Sequence, residues 1–363
     1  MLLIPEAPYL LWAKTRQPAA IDLAGSNLLH CTLDDLPGAR EALDLRAPND
    51  NGYAPLVDAI AQHYGVEPAR VATATGCSGA NFLVVAALAG AGDRVLVERP
   101  TYDPLIGACR LMGAEVGRFE RRFENGYRLD LDDLARRIAP RTRLIVVTTP
   151  HNPTGLSLQR DEIAALGALA ERAGAHVLVD EVYLDAAALV RNEQATASSA
   201  ARLDGPFVVT NSLTKSYGLA GLRSGWVVAP AGVAERIRRT RDVVDNAGPG
   251  PSDRLAALSF AHLPRLADRA RRLLSANLVH AREFFDDEPQ LELAGRPWSS
   301  VVFPRLAGHA DTGAFVRRLH ERHGVAVAPG HFFEAPDHFR VSLAGASDVL
   351  DSGLAKIREA LRD

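Results

Sequence analysis

Lysine is almost missing from this chain. Of 41 lysine and arginine side chains among 363 residues, only Lys14, Lys215 and Lys356 are lysine, and the other 38 are arginine. Cysteine is scarce too, with Cys31, Cys77 and Cys109 forming an odd set without a close pair. That argues against a disulfide framework and a cysteine-built metal site, and it points to a reducing compartment, so a cytoplasmic protein is expected. No stretch approaches the ~20 consecutive apolar residues of a membrane span. The opening MLLIPEAPYLLWAKTRQ lacks the basic start and small-residue cleavage site of a signal peptide. A formal net charge of −3 gives no electrostatic footing for nucleic acid or an anionic membrane. The arginine clusters at 236–241 and 269–272 fall at helical spacing among Ala and Leu, which favours solvated helix faces over a basic patch.

What is present is ordinary for a globular protein with a sizeable core: 47% hydrophobic and 23% charged residues. The length suits two domains, or one large domain with a lobe. From about residue 70, nearly unbroken apolar runs alternate with helical patterns. RVLVE at 94–98, RLIVVTT at 143–149, HVLVD at 176–180 and FVVT at 207–210 read as strands buried on both faces. The rhythm predicts an α/β fold with a mainly parallel sheet between helices, whose ligands gather at the carboxyl ends of the strands. After Pro230 come long helices, interrupted at NAGPGP (246–251) and at Pro264. From about residue 285 the order strand, strand, helix, strand, strand, helix predicts a smaller α+β domain. The expected division is a large domain over 51–270 and a small domain made of 1–50 and 271–363.

Polar residues collect where the apolar runs stop. TGCSG at 75–79 feeds an apolar helix, and its backbone N–H groups offer an anion seat, although glycine turns before helices are common. HNPTG at 151–155 places Asn152 in what is otherwise a Pro-Gly turn. Asp180 ends an apolar strand as either a helix cap or a carboxylate aimed at a positive partner. SLTK at 212–215 ends another, with Arg223 eight residues on. A surface ammonium is the bland reading of Lys215. A chain that writes arginine elsewhere has no need of lysine there, whereas guanidinium cannot lose its proton and a desolvated amine can. An amine nucleophile, an anion seat, an arginine, a serine and a carboxylate together match one cofactor, pyridoxal 5′-phosphate.

With these motifs in this order, the chain resembles the class I/II, fold-type-I pyridoxal-phosphate aminotransferases from about Asn51 to its carboxyl terminus. The resemblance implies the following roles. Lys215 forms the Schiff base with the cofactor aldehyde and then shuttles the Cα proton. Asp180 keeps the pyridine nitrogen protonated, while Tyr183 and Asn152 hydrogen-bond the phenolic oxygen. Ser212 and Arg223, with the turn Gly76-Cys77-Ser78, hold the phosphate, and Tyr102 stacks on the ring. Arg340, in FRVSL at 339–343, clamps the substrate α-carboxylate together with Asn152 and with Gly25, the latter in the nearest match to the family's substrate-gating segment. Ping-pong transamination between an amino acid and a 2-oxo acid, in a homodimer, is the expected activity. Other pyridoxal-phosphate chemistry on the same fold is the alternative: a β-lyase, decarboxylase, racemase or cyclising synthase.

Two departures stand out. The stretch 46–51 holds no tyrosine where many relatives carry one that reaches the neighbouring subunit's phosphate. No arginine lies between Asp242 and Pro251, where dicarboxylate-specific relatives place a second clamp. Asp242 and Asp245 lie there instead, against aspartate and toward a basic substrate. Trp298 is either a pocket-lining or a packed core residue. A dehydrogenase is excluded, since no G-x-G-x-x-G follows the first strand with an acidic residue about 20 positions on.

Overall fold

The computed structural model describes residues 6–46, 50–296 and 298–363. Residues 47–49, within the tyrosine-free stretch, and Pro297, beside Trp298, lie outside the described residues. Seven strands among the described residues form the central sheet: β1 (Val71–Thr75), β2 (Arg94–Arg99), β3 (Glu115–Glu120), β4 (Thr142–Thr148), β5 (His176–Asp180), β6 (Phe207–Ser212) and β7 (Ser224–Val228). Their order is β1-β7-β6-β5-β4-β2-β3. The strands from β3 across to β6 run parallel, and β7 runs antiparallel to both β6 and β1.

The apolar runs anticipated β2, β4, β5 and β6 because both faces of those strands are covered. Leu96, Ile145, Val147, Val177 and Val179 enter one core, and Val95, Val97, Leu144, Val146 and Leu178 enter another. The other three strands carry no such run. β3 is one of the two sheet edges, where Glu115, Arg118 and Glu120 of EVGRFE keep some exposure. β1 is built from Val, Ala and Thr, and β7 opens on Ser-Gly.

The helices are α1 (Pro8–Thr15), α2 (Gly76–Leu88), α3 (Asp103–Leu111), α4 (Arg160–Arg172), α5 (Ala231–Val244), α6 (Gly250–Ala261), α7 (Leu263–Asp287), α8 (Gly313–His323) and α9 (Ser347–Ala360), of which α2 to α6 pack against the central sheet. Glu162 accepts from the Gln159 backbone N–H at the start of α4, and Gly174 takes φ +65° just beyond its end. Pro251 and Pro264 sit in the first turns of α6 and α7, where a missing N–H costs nothing. These prolines start helices rather than merely interrupting them.

The smaller α+β lobe carries an antiparallel sheet of β8 (Val301–Val302), β9 (Ala328–Pro329) and β10 (Phe339–Ser342), in the order β8-β10-β9. Phe315 and Leu319 of α8 and Leu350, Leu354 and Ile357 of α9 pack with Phe339 and Val341. The segment Ile21–Asp22 pairs in parallel with Val325–Ala326, whereas Leu36 and Ala39 pack against Leu255 of α6. Residue 270, the expected domain boundary, lies inside the 25-residue α7. Trp298 is 38% exposed, with the Arg282 guanidinium 4.2 Å from its ring centroid, so it is not a packed core residue.

Candidate active site

Register brings the strand ends together. Thr148 pairs with Asp180, Asp180 with Thr210, Ser212 with Gly225, and Thr75 with Ser224. The loops that leave these strands carry Asn152, Tyr183, Lys215 and Gly76, so four distant motifs converge on one edge of the sheet.

At one end lies a cradle for an anion. Gly76 opens α2 with φ +71°, and Thr75 before it gives the helix no side-chain cap. A Cβ on Gly76 would lie 2.3 Å from Nη2 of Arg223, and a Cβ on Gly225 would lie 2.3 Å from the Gly76 carbonyl carbon. The guanidinium is therefore seated directly on the helix start. Arg223 itself takes φ +49°, a costly conformation for a residue with a side chain. Ser212 Oγ accepts from the Thr214 N–H at 3.4 Å, and the buried Ser224 Oγ has no hydrogen-bond partner among the described residues. Exposed N–H groups, a guanidinium and two hydroxyls suit a phosphate.

Asp180 lies deeper and is only 4% exposed. Its Oδ2 accepts from Asn81 Nδ2 at 2.7 Å, and its Oδ1 accepts from the Val182 N–H at 3.0 Å and from the Cys77 thiol at 3.5 Å. Burial raises its carboxyl above the ordinary range, and the Asn81 bond opposes that rise. None of the three donors carries the positive charge that a buried carboxylate calls for, and a protonated ring nitrogen would supply it. The Cys77 thiol is itself pushed up by burial and stays protonated.

Lys215 stands in the short helix Thr214–Tyr217 after β6. Burial, and after it the positive charge of Arg340, lower its amine from 10.5 to about 7. Its Nζ donates to Ser26 Oγ at 2.8 Å and to Asn27 Oδ1 at 2.7 Å. The fully buried Tyr183 hydroxyl, raised to about 12 chiefly by burial, has no partner with hydrogen-bond geometry among the described residues. It is available for an oxygen that is still to come.

Arg340 is 1% exposed and lies between the Tyr9 and Phe333 rings, 5.0 and 4.9 Å from their centroids. Nη1 donates to Asn152 Oδ1 at 2.8 Å, and Nη2 donates to the Tyr9 hydroxyl and to the Ala24 carbonyl at 3.0 Å. Its Nε is buried and unpartnered, and no carboxylate pairs with this guanidinium among the described residues. Read from sequence alone, Arg340 could have been a surface strand residue, and its burial rules that out. Tyr102, at the start of α3, meets the Tyr9 ring edge-on at 6.1 Å. Gly25 is exposed, with nothing within 4 Å of where its Cβ would lie, directly beside Ala24 and Ser26.

Residues 36–357 match the sequence family Aminotransferase class I and II. The chain belongs to that family. It is a fold-type-I, pyridoxal-phosphate-dependent enzyme, related to proteins that transfer amino groups. Capreomycidine synthase of Streptomyces vinaceus is 32% identical over 99% of this chain and 94% of its own length. The arginine–pyruvate transaminase of Pseudomonas aeruginosa is 33% identical over 80% of this chain and 75% of its own. A pyridoxal-phosphate-dependent aminotransferase from Streptococcus suis 89-1591 superimposes with a TM-score of 0.88 at 29% identity, covering 99% of this chain and 98% of that one. The cradle, the uncompensated Asp180 and the unpartnered Tyr183 hydroxyl fit the cofactor this family uses.

Sequence reasoning missed four contributors: Tyr9, Ser26, Asn27 and Asn81. Asn81 had left a signal, as the one amide inside the apolar pattern of α2. Ser26 and Asn27 directly follow Gly25, in or beside the nearest match to the gating segment, whereas Tyr9 had no motif and is brought in by tertiary packing alone.

Proposed function

We propose that this enzyme transfers the α-amino group of an amino acid to a 2-oxo acid in two half-reactions at Lys215. One pairing carries the reading: a half-buried amine lowered to about 7 within the field of a buried guanidinium that has no carboxylate partner among the described residues. Arg340 binds the substrate α-carboxylate through its charge and its unpartnered Nε–H, with Asn152 fixing the plane of the guanidinium. Lys215 would hold the cofactor through its ε-nitrogen and, as a free neutral amine, would carry the proton away from and back to the substrate Cα. Pyridoxal phosphate, when bound, supplies the electron sink that lets the Cα–H bond break. Asp180 would hold the proton on the ring nitrogen, Tyr183 and Asn152 would serve the phenolic oxygen, and Tyr102 the ring. Arg223, Ser212 and the Gly76-Cys77-Ser78 turn would hold the phosphate.

A basic amino acid is the proposed donor, supported by the likeness to an arginine transaminase. Asp242 and Asp245 do not add to that support, since they are ion-paired with Arg239 and Arg241. We also propose a homodimer in the cytoplasm; Leu45 and Val243, 92% and 88% exposed, mark apolar surface for a second copy to cover. A panel of amino acids tests the reaction. Offered without an oxo acid, a true donor should yield one equivalent of 2-oxo acid per site and then stop. A second reading, cyclisation of a basic amino acid, is favoured by the full-length likeness to capreomycidine synthase. It requires steady formation of a cyclic product with no acceptor present.

A further inference from the structure

We infer that Ser26 and Asn27 form a dock that orients the free ε-amine of Lys215 for proton transfer. The inference deepens the proposed function, since it rests on Lys215 being the amine that does the chemistry. An uncharged primary amine has two N–H bonds and one lone pair. Here two oxygens lie at donor distance, Ser26 Oγ at 2.8 Å and Asn27 Oδ1 at 2.7 Å. With both N–H bonds engaged, the lone pair is left a single direction, away from the two oxygens. Without the dock, the amine turns freely about its terminal bond at the end of a flexible four-carbon stem, and the lone pair has no fixed aim.

The dock is braced by the element that places the substrate clamp. Ala24, two residues before Ser26, accepts from Nη2 of Arg340 through its carbonyl. Ile21–Asp22 is paired to Val325–Ala326, and Leu23 and Leu28 on either side are buried. Clamp and base thus refer to one stretch of backbone, which fixes the distance between the carboxylate of a bound substrate and the nitrogen that must reach its Cα proton. The charged and titratable groups around the amine are Arg340 on β10, Arg223 before β7, Asp180 at the end of β5 and Cys77 on α2. Ser26 and Asn27 are uncharged, so they set direction without holding the amine protonated.

Because the chain has three lysines, the dock can be tested on cofactor-free protein. Trace acetylation across a pH series, read by mass spectrometry, gives the titration midpoint of Lys215, with exposed Lys14 and partly exposed Lys356 as internal standards. Asn27 is exposed, so its replacement leaves the core intact. Asn27→Asp puts a charge where an amide oxygen stood and should raise the midpoint by about 1 pH unit or more. On the loaded enzyme, exchange of the substrate Cα proton with solvent deuterium should then fall about fivefold or more at pH 7 and recover at higher pH. Asn27→Ala should slow that exchange at every pH. An Asn27→Asp midpoint equal to that of the wild type, or undiminished exchange in Asn27→Ala, overturns the dock. The labelling needs no cofactor, so its failure is distinct from a failure of the proposed function, which would show as an Lys215→Ala protein that still turns over.

Discussion

Asn81 holds Asp180 by a 2.7 Å bond from its amide nitrogen, while its own oxygen accepts from Thr210 Oγ1 at 2.6 Å. The amide is thereby locked in one orientation, and its N–H must face the carboxylate. Asn81→Ala should leave the Asp180 carboxyl further raised, since the bond that opposes burial is gone. Turnover should fall about tenfold or more with little change in fold. Asp180→Asn should cost more, about a hundredfold or beyond, because an amide cannot hold a proton on a ring nitrogen. Steady-state kinetics with a circular dichroism control check both.

Lys215→Ala should abolish turnover, and activity within tenfold of wild type would contradict the assignment. Replacement by methionine carries a second signature. Because the folded amine titrates near 7 and the unfolded one near 10.5, the unfolded chain holds the extra proton between those values. Stability therefore rises with pH across that window, and the penalty for burying Lys215 is complete below about 7. Cofactor-free Lys215→Met should be more stable than wild type at pH 6, by about 1 kcal/mol or more, with the gap closing toward pH 10. Denaturant melts at the two pH values test it.

Arg340→Lys keeps the charge but loses the fork. KM for the amino acid should rise about tenfold to a hundredfold, while binding of the cofactor is unchanged. Tyr9→Phe, which removes one hydroxyl partner of the guanidinium, should show a smaller rise in KM.

Gly225→Ala should be severe for a purely steric reason. Its Cβ would fall 2.3 Å from a backbone carbon of Gly76 and 2.8 Å from the Cys77 nitrogen, neither of which can swing aside. The helix start must shift, and affinity for pyridoxal phosphate, measured on the cofactor-free protein, should drop at least tenfold.

Much of this site was written in local sequence. Lys215, Asp180 and Asn152 follow or end strands whose apolar runs are visible without a structure, and parallel strands place such ends side by side; Arg223 was legible only by its spacing from Lys215. The edge strand β3 and the antiparallel β7 were hidden, since pairing with neighbours rather than an apolar run makes them strands. Tyr9, Ser26 and Asn27 were hidden for a different reason. Their contacts span 188 to 331 positions, as between Tyr9 and Arg340, and no local pattern encodes such a closure.

The first helix is a roof over Arg340. Asp103 accepts from its Tyr9 N–H at 2.8 Å, and Trp12 and Phe332 brace its far side with ring centroids 5.3 Å apart. Occupancy below and docking above are then a linked equilibrium: a carboxylate that binds more tightly when α1 is docked should slow digestion of α1 by a protease, and a change that frees α1 should weaken the carboxylate.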